Sequence, residues 1–214
     1  FLLTIIFFCI FYFAAGLQTG SSMMIFLDNK IHNGTFSFPF PASFFGMLYP
    51  LFVIILTPMA NFAWDYLNKK GYQLTIYHKQ FLVILIGGFG LFSLAMADFT
   101  DWILTFIILA NLFFAAGELI LTPSIFAFIN NYSPKPIRTT LLGTWLLFAG
   151  AGGYLGGYYL SIINSLNNHV FKIKHFWFGF QFSLMGVFTL FIAFVYFKII
   201  FKLPKPKILY HALK

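Results

Sequence analysis

The feature that most constrains the fold of this chain is a series of long apolar runs separated by short polar segments. A helix that crosses the hydrocarbon core of a bilayer needs about 20 mostly apolar residues, and six segments meet this requirement. They cover residues 1–27, 43–67, 80–97, 102–128, 138–163 and 176–200. Only 8% of the residues are charged, against about 25% in a soluble domain. The sequence therefore predicts an all-α membrane protein with six transmembrane helices.

Positive charge is unevenly distributed between the two sides of the predicted bundle. Three of the 13 lysine and arginine residues, Lys30, Lys172 and Lys174, lie on one side. The others lie on the side that holds both ends of the chain and the basic tail at 201–214. Because basic loops are retained in the cytoplasm, we expect both termini of this segment to be cytoplasmic.

Glu118 is the one charged residue deep inside a predicted span, within LFFAAGELILTPS at 112–124. Such a charge costs about 2.5–3.5 kcal/mol on insertion scales and commonly marks a path for ions, protons or substrates. Thr122 follows one turn later on the same helical face, and Pro123 weakens the helix beside it. A neutral glutamate that is simply packed against a neighbouring helix is the structural alternative.

Two other spans contain residues that a pocket or a helix contact could use. Trp145 lies inside the fifth span rather than at a membrane interface. At this depth its side chain can face substrate, the protein core or lipid. The same span has glycines at 152, 153, 156 and 157, a spacing typical of close helix packing. Gln18 lies within the apolar first span, where a polar group needs a partner and can join helices.

No motif for a cofactor, a metal ion or covalent catalysis is recognisable. The single cysteine, Cys9, excludes a disulfide within the chain. The histidines lie in loops, at span edges or in the tail, and neither a phosphate-binding glycine loop nor a nucleophile elbow is present. We therefore expect no enzyme, no cofactor and no nucleic-acid partner.

Four segments resemble the proton-dependent oligopeptide transporters, a family of the major facilitator superfamily. FYFAAGLQTGSSMMIFLDNKI is similar to the seventh helix of that family and ASFFGMLYPLFVIILTPMANFAWDYL to the eighth. GELILTPSIFAFINNYSP is similar to the tenth and LLGTWLLFAGAGGYLGGYY to the eleventh. Members of the family have two six-helix halves. The resemblance thus implies that residues 1–214 form the C-terminal half, with an N-terminal half as partner.

The resemblance also implies a function, the proton-coupled import of di- and tripeptides across a cell membrane by alternating access, and we expect this membrane to be bacterial. Glu118 would bind the amino terminus of the peptide and take part in proton coupling. Thr122 and Trp145 would line the pocket. Asp28, at the external end of the first span, would close a gate against the other half.

Two departures from the family pattern bear on the substrate. Tyr49 precedes Pro50 where the family usually has asparagine, and Leu17 precedes Gln18 where it often has glutamate. Tyr49 and Gln18 are nevertheless expected to contact substrate. These differences leave open a transporter of an amino acid or peptide-like metabolite. A second alternative is a truncated half without transport activity, since these six spans would form only half of a central cavity.

Overall fold

The computed structural model describes residues 2–32, 41–71, 75–166 and 177–202, which form helices joined by short turns. The α-helices are α1 (Leu2–Gly16), α2 (Ser22–His32), α3 (Leu48–Lys69), α4 (Ile76–Phe99), α5 (Ile103–Tyr132), α6 (Arg138–Leu166) and α7 (Trp177–Lys202). Three 3-10 turns lie at Leu17–Thr19, Ala42–Met47 and Lys135–Ile137. Within these described ranges, six helical segments are long and apolar enough to cross a membrane. The predicted fold class is therefore confirmed.

The observed segments follow the predicted spans and extend beyond some of them. The fourth runs over Ile103–Tyr132 and the fifth over Lys135–Leu166, since a helix can continue through polar residues once it leaves the apolar core. Most of the predicted basic tail, 203–214, lies outside the described residues, as do Lys172 and Lys174.

The first span is interrupted near its middle, a feature that the sequence did not reveal. It consists of α1 and α2, separated by the 3-10 turn at Leu17–Thr19. The Thr19 hydroxyl donates to the Gly16 carbonyl at 2.8 Å, and the Ser21 hydroxyl donates to the Leu17 carbonyl at 3.0 Å. Because such side-chain bonds compete with regular helical hydrogen bonding, they account for the change of helix type at this position.

Helix α4 lies at the centre of the bundle, between α5 and α7. Its glycines allow both neighbours to approach closely. A Cβ on Gly90 would lie 2.9 Å from the Phe114 ring, and one on Gly88 would lie 2.7 Å from the Leu190 side chain. Helix α1 packs against α6 and α3 packs against α5, so every span has a partner among the described residues.

The contact between α1 and α6 confirms the packing role predicted for the glycines of the fifth span. A Cβ on Gly152 would lie 2.6 Å from the Ile10 carbonyl oxygen, and one on Gly156 would lie 2.8 Å from that of Ala14. The two backbones are therefore in direct contact, as small residues at this spacing permit. Gly157 differs, since a Cβ there would meet no atom within 4 Å.

Candidate functional site

The middle of α5 presents a carboxylate and a hydroxyl on one face. The Glu118 side chain is half-buried, and Thr122 and Phe126 follow it at successive turns. The Thr122 hydroxyl oxygen is enclosed and has no hydrogen-bond partner among the described residues. Pro123 lies inside the helix and has no N–H to offer the Leu119 carbonyl. This face therefore carries polar groups that the helix itself does not satisfy.

Trp145 joins this face from α6. Its ring meets Phe126 edge-on at a centroid distance of 5.1 Å, and it meets Phe13 of α1 in the same way at 5.7 Å. With 5% of its surface exposed, Trp145 is enclosed by these helices rather than directed at lipid. The structure thus brings Trp145 to the same face of α5 as Glu118 and Thr122. The rings of Trp145, Phe126 and Phe13 form one side of the candidate site, which we call the aromatic wall.

Tyr12 of α1 contacts the turn of α5 that precedes Glu118. Its hydroxyl donates to the Phe114 carbonyl at 2.5 Å. Its ring packs against Gly117, where a Cβ would lie 2.7 Å from the tyrosine Oη. Tyr12 could not be singled out from the sequence, because tyrosine is common in apolar spans and its hydrogen-bond partner lies 102 positions away.

Gln18 and Tyr49 occupy different surroundings from the α5 residues described above. The Gln18 amide donates to the Ala14 carbonyl at 3.1 Å and accepts a bond from the Ser22 hydroxyl. It also lies against α6, where a Cβ on Gly156 would be 2.6 Å from Nε2. Tyr49 is half-buried near the start of α3 and packs against the main hydrophobic core. Their predicted contacts with substrate stay predictions.

The predicted gate residue, Asp28, is exposed and lies 3.4 Å from the His32 ring nitrogen. A buried ion pair is found close to it along the chain. The Lys30 ammonium lies 2.9 Å from one oxygen of Asp98, and the other oxygen accepts the Gly179 backbone N–H at 2.7 Å. Asp98 is only 4% exposed. We call these three residues the clasp, because they join the ends of α2 and α4 to the start of α7.

The clasp was not predicted, because Asp98 is the first residue of the polar segment DFTD at 98–101 and has the sequence surroundings of a solvated loop charge. A usable signal is that the six predicted spans place Lys30, which follows the first span, and Asp98, which follows the third, on the same side of the membrane. The predicted role of Asp28 as a gate residue stays a prediction.

Comparisons with known proteins identify the family to which this arrangement belongs. The sequence model of the POT family (PTR2) matches residues 2–177. Dipeptide and tripeptide permease B of Salmonella typhimurium (strain LT2) is 29% identical over 149 residues, which cover 66% of this chain and 30% of the permease. Peptide transporter YePEPT of Yersinia enterocolitica is 26% identical over 163 residues, which cover 69% of this chain and 31% of that transporter. The matched part therefore spans about 30% of the length of these curated relatives, which are transporters rather than enzymes.

Solved structures show the same fold. An auto-inhibited POT family peptide transporter matches 95% of this chain with a TM-score of 0.80 at 16% identity, and the match covers 41% of that transporter. A POT family transporter in complex with 5-aminolevulinic acid matches 91% of this chain with a TM-score of 0.73 at 17% identity, over 39% of its own length. The protein is a multi-pass membrane protein. Because the family's sequence model covers most of its length, this chain belongs to the POT family.

Proposed function

We propose that this chain is the C-terminal half of a transporter that imports di- and tripeptides together with protons by alternating access. Membership of the POT family and similarity to permeases named for dipeptides and tripeptides support this function. The matched part of those permeases is a minor share of their length. A six-helix N-terminal half is accordingly the proposed partner that completes the central cavity.

The observation that carries the proposal is the polar face of α5. Among the described residues, Glu118 is the one acidic side chain in the middle of a membrane-spanning helix. A carboxylate in such surroundings is costly to keep charged without a partner. It can bind the ammonium group of a peptide when it is ionised, and it can also accept a proton, so peptide binding and protonation are linked at this carboxylate. Thr122 would supply a hydrogen bond, and Trp145 an apolar wall for a peptide side chain.

We also propose a bacterial cell membrane as the location, with both ends of this segment cytoplasmic. Lys69 ends α3, Lys70 follows it, and Lys79 and Arg138 lie in the first turns of α4 and α6. Antiparallel spans place these residues on one side, which the positive-inside rule assigns to the cytoplasm. A cysteine introduced at Lys70 should then react with an impermeant maleimide only in permeabilised cells, whereas one at Asp28 should react in intact cells.

Uptake into proteoliposomes tests the transport function. Vesicles containing the full-length protein should accumulate labelled dialanine when an inward proton gradient is imposed. Excess unlabelled tripeptide should compete, whereas free alanine should not. Folded protein that accumulates no dipeptide and no amino acid under any gradient would contradict the proposal and support the alternative of a half without transport activity.

A transporter of amino-acid-like molecules is the second candidate. One protein of this fold was solved in complex with 5-aminolevulinic acid, and Tyr49 here precedes Pro50 at the start of α3, where the family's usual amide side chain is missing. Competition in the same assay separates the candidates. Inhibition by 5-aminolevulinic acid or free alanine, with no inhibition by tripeptides, would favour this second function.

A further inference from the structure

We propose that Tyr12 is a positioning residue that fixes the turn of α5 carrying Glu118, and thereby sets the affinity of the site. The inference rests on the proposed function in one respect, namely that Glu118 binds the substrate. It assigns to α1 a part in the site that its sequence does not suggest.

Two glycines hold the Tyr12 ring in one place. The residue is 2% exposed and lies between α4 and α5. A Cβ on Gly117 of α5 would lie 2.7 Å from its hydroxyl oxygen, and one on Gly87 of α4 would lie 3.3 Å from the ring. Because any larger side chain at Gly117 would displace the ring, the fit is specific to this pair of helices.

The hydrogen bond made by Tyr12 acts directly on the turn that carries Glu118. Its acceptor, the Phe114 carbonyl, is also the one that α-helical geometry assigns to the Glu118 N–H. A carbonyl oxygen has two lone pairs and can accept both donors. Helix α1 therefore restrains the backbone position from which the carboxylate extends.

This restraint matters because the helix is weakened on the other side of Glu118. Pro123 cannot donate to the Leu119 carbonyl, so one helical hydrogen bond is missing just beyond the carboxylate. Glu118 thus lies between the anchor at Phe114 and this weak point. Loss of the anchor would leave the carboxylate with more freedom, and a loosely held group binds its ligand less well.

Phe13, the next residue of α1, contacts the aromatic wall of the site. The Phe13 ring meets the Trp145 ring edge-on at 5.7 Å, and it meets the Tyr12 ring at the same distance. Two consecutive residues of α1 therefore contact the carboxylate-bearing turn of α5 and the aromatic wall of α6. Helix α1 sets the spacing between these two parts.

Tyr12→Phe tests the inference by removing the hydroxyl and leaving the ring. Tyr159→Phe is a matched control, since the Tyr159 hydroxyl donates to the Gln181 carbonyl at 2.9 Å and so forms the same kind of bond between α6 and α7. Both variants are made in the full-length protein and checked for a monodisperse elution profile. Dialanine affinity should fall about five- to tenfold in Tyr12→Phe, which is the change expected when the full restraint from that hydrogen bond is used in binding, and it should change little in Tyr159→Phe.

A double-mutant cycle shows whether Tyr12 acts through Glu118. In a Glu118→Gln background, Tyr12→Phe should have little further effect on affinity, because residues that act as one unit are not additive. An equal loss of affinity with and without the carboxylate would overturn the inference, since Tyr12 would then serve the fold as a whole.

A readout without substrate separates this inference from the proposed function. An apolar carbodiimide labels protonated carboxyl groups in membranes, and mass spectrometry of the peptide containing Glu118 gives its labelling rate. The rate should change about threefold or more in Tyr12→Phe and stay at the wild-type value in Tyr159→Phe. Equal rates in all three proteins would overturn the role of Tyr12. Altered labelling in a protein that binds no dipeptide would count against the proposed function alone.

Discussion

Replacement of Asp98 with alanine should destabilise the protein strongly, although this residue stands beside a polar loop in the sequence. Its carboxylate is almost fully buried and has two partners, the Lys30 ammonium at 2.9 Å and the Gly179 N–H at 2.7 Å. Each partner belongs to a different helix from Asp98. The substitution removes both bonds at once and separates the ends of α2, α4 and α7.

The size of the effect follows from the surroundings of the three groups. Breaking a buried ion pair costs about 3–5 kcal/mol, but the Lys30 side chain is 25% exposed, so water compensates part of that loss. The Gly179 N–H lies in the first turn of α7, where it has no acceptor within its own helix, and leaving it unpaired costs about 1–3 kcal/mol. The substitution also removes the free-energy cost of burying the Asp98 carboxylate, and this gain offsets part of the lost stability. We expect a loss of about 2–4 kcal/mol in the free energy of unfolding.

Denaturant titration of the full-length protein in detergent, followed by tryptophan fluorescence, measures this loss. Asp98→Asn should cost about half as much as alanine, because the amide oxygen can still accept the Gly179 N–H. Asp28→Ala is the matched control, since that carboxylate is exposed and its removal should leave stability near wild type. If Asp98→Ala were no less stable than Asp28→Ala, the clasp would contribute nothing to the free energy of unfolding, and its predicted role would be refuted.

Three further substitutions and one control, Gly157→Leu, test the packing and the site. Gly156→Leu should abolish a monodisperse elution profile, because even a Cβ would lie 2.8 Å from the Ala14 carbonyl oxygen, whereas Gly157→Leu faces open space and should keep it. Thr122→Val replaces an enclosed hydroxyl that lacks a described partner. Thermal melts should therefore show equal or higher stability, by up to about 1 kcal/mol, while uptake assays show weaker dipeptide affinity. Trp145→Phe should raise the KM for dialanine about threefold or more by removing apolar contact area, whereas a residue that serves packing alone would lower the folded yield and leave the KM unchanged.

Features that depend on one helix could be predicted from the sequence. The six spans follow from apolar runs of sufficient length, and the fold confirms them. Glu118 is conspicuous because a charge in the middle of an apolar run is rare, whatever surrounds it. The packing role of Gly152 and Gly156 follows from their four-residue spacing, which places both on one face.

Features that depend on two distant segments could not be predicted in this way. Asp98 is indistinguishable from a solvated loop aspartate until α7 packs over it, and the close approach requires Gly179, where a Cβ would lie 3.1 Å from the Asp98 Cβ. The bond from Tyr12 to the Phe114 carbonyl is invisible for the same reason, since its acceptor is a backbone atom that every residue type carries. The interruption at Leu17–Thr19 results from local side-chain bonds whose geometry the residue types alone do not determine.

Proton-driven uptake by Glu118→Gln tests the central claim most directly, because this change removes the titratable group and keeps the shape of the side chain. Proteoliposomes containing the full-length wild type, Glu118→Gln or the control Asp65→Asn, whose carboxylate is exposed near the end of α3, are compared under the same inward proton gradient. The wild type and Asp65→Asn should accumulate labelled dialanine above its external concentration, and Glu118→Gln should not. Accumulation by Glu118→Gln at the wild-type rate would contradict the role assigned to this carboxylate.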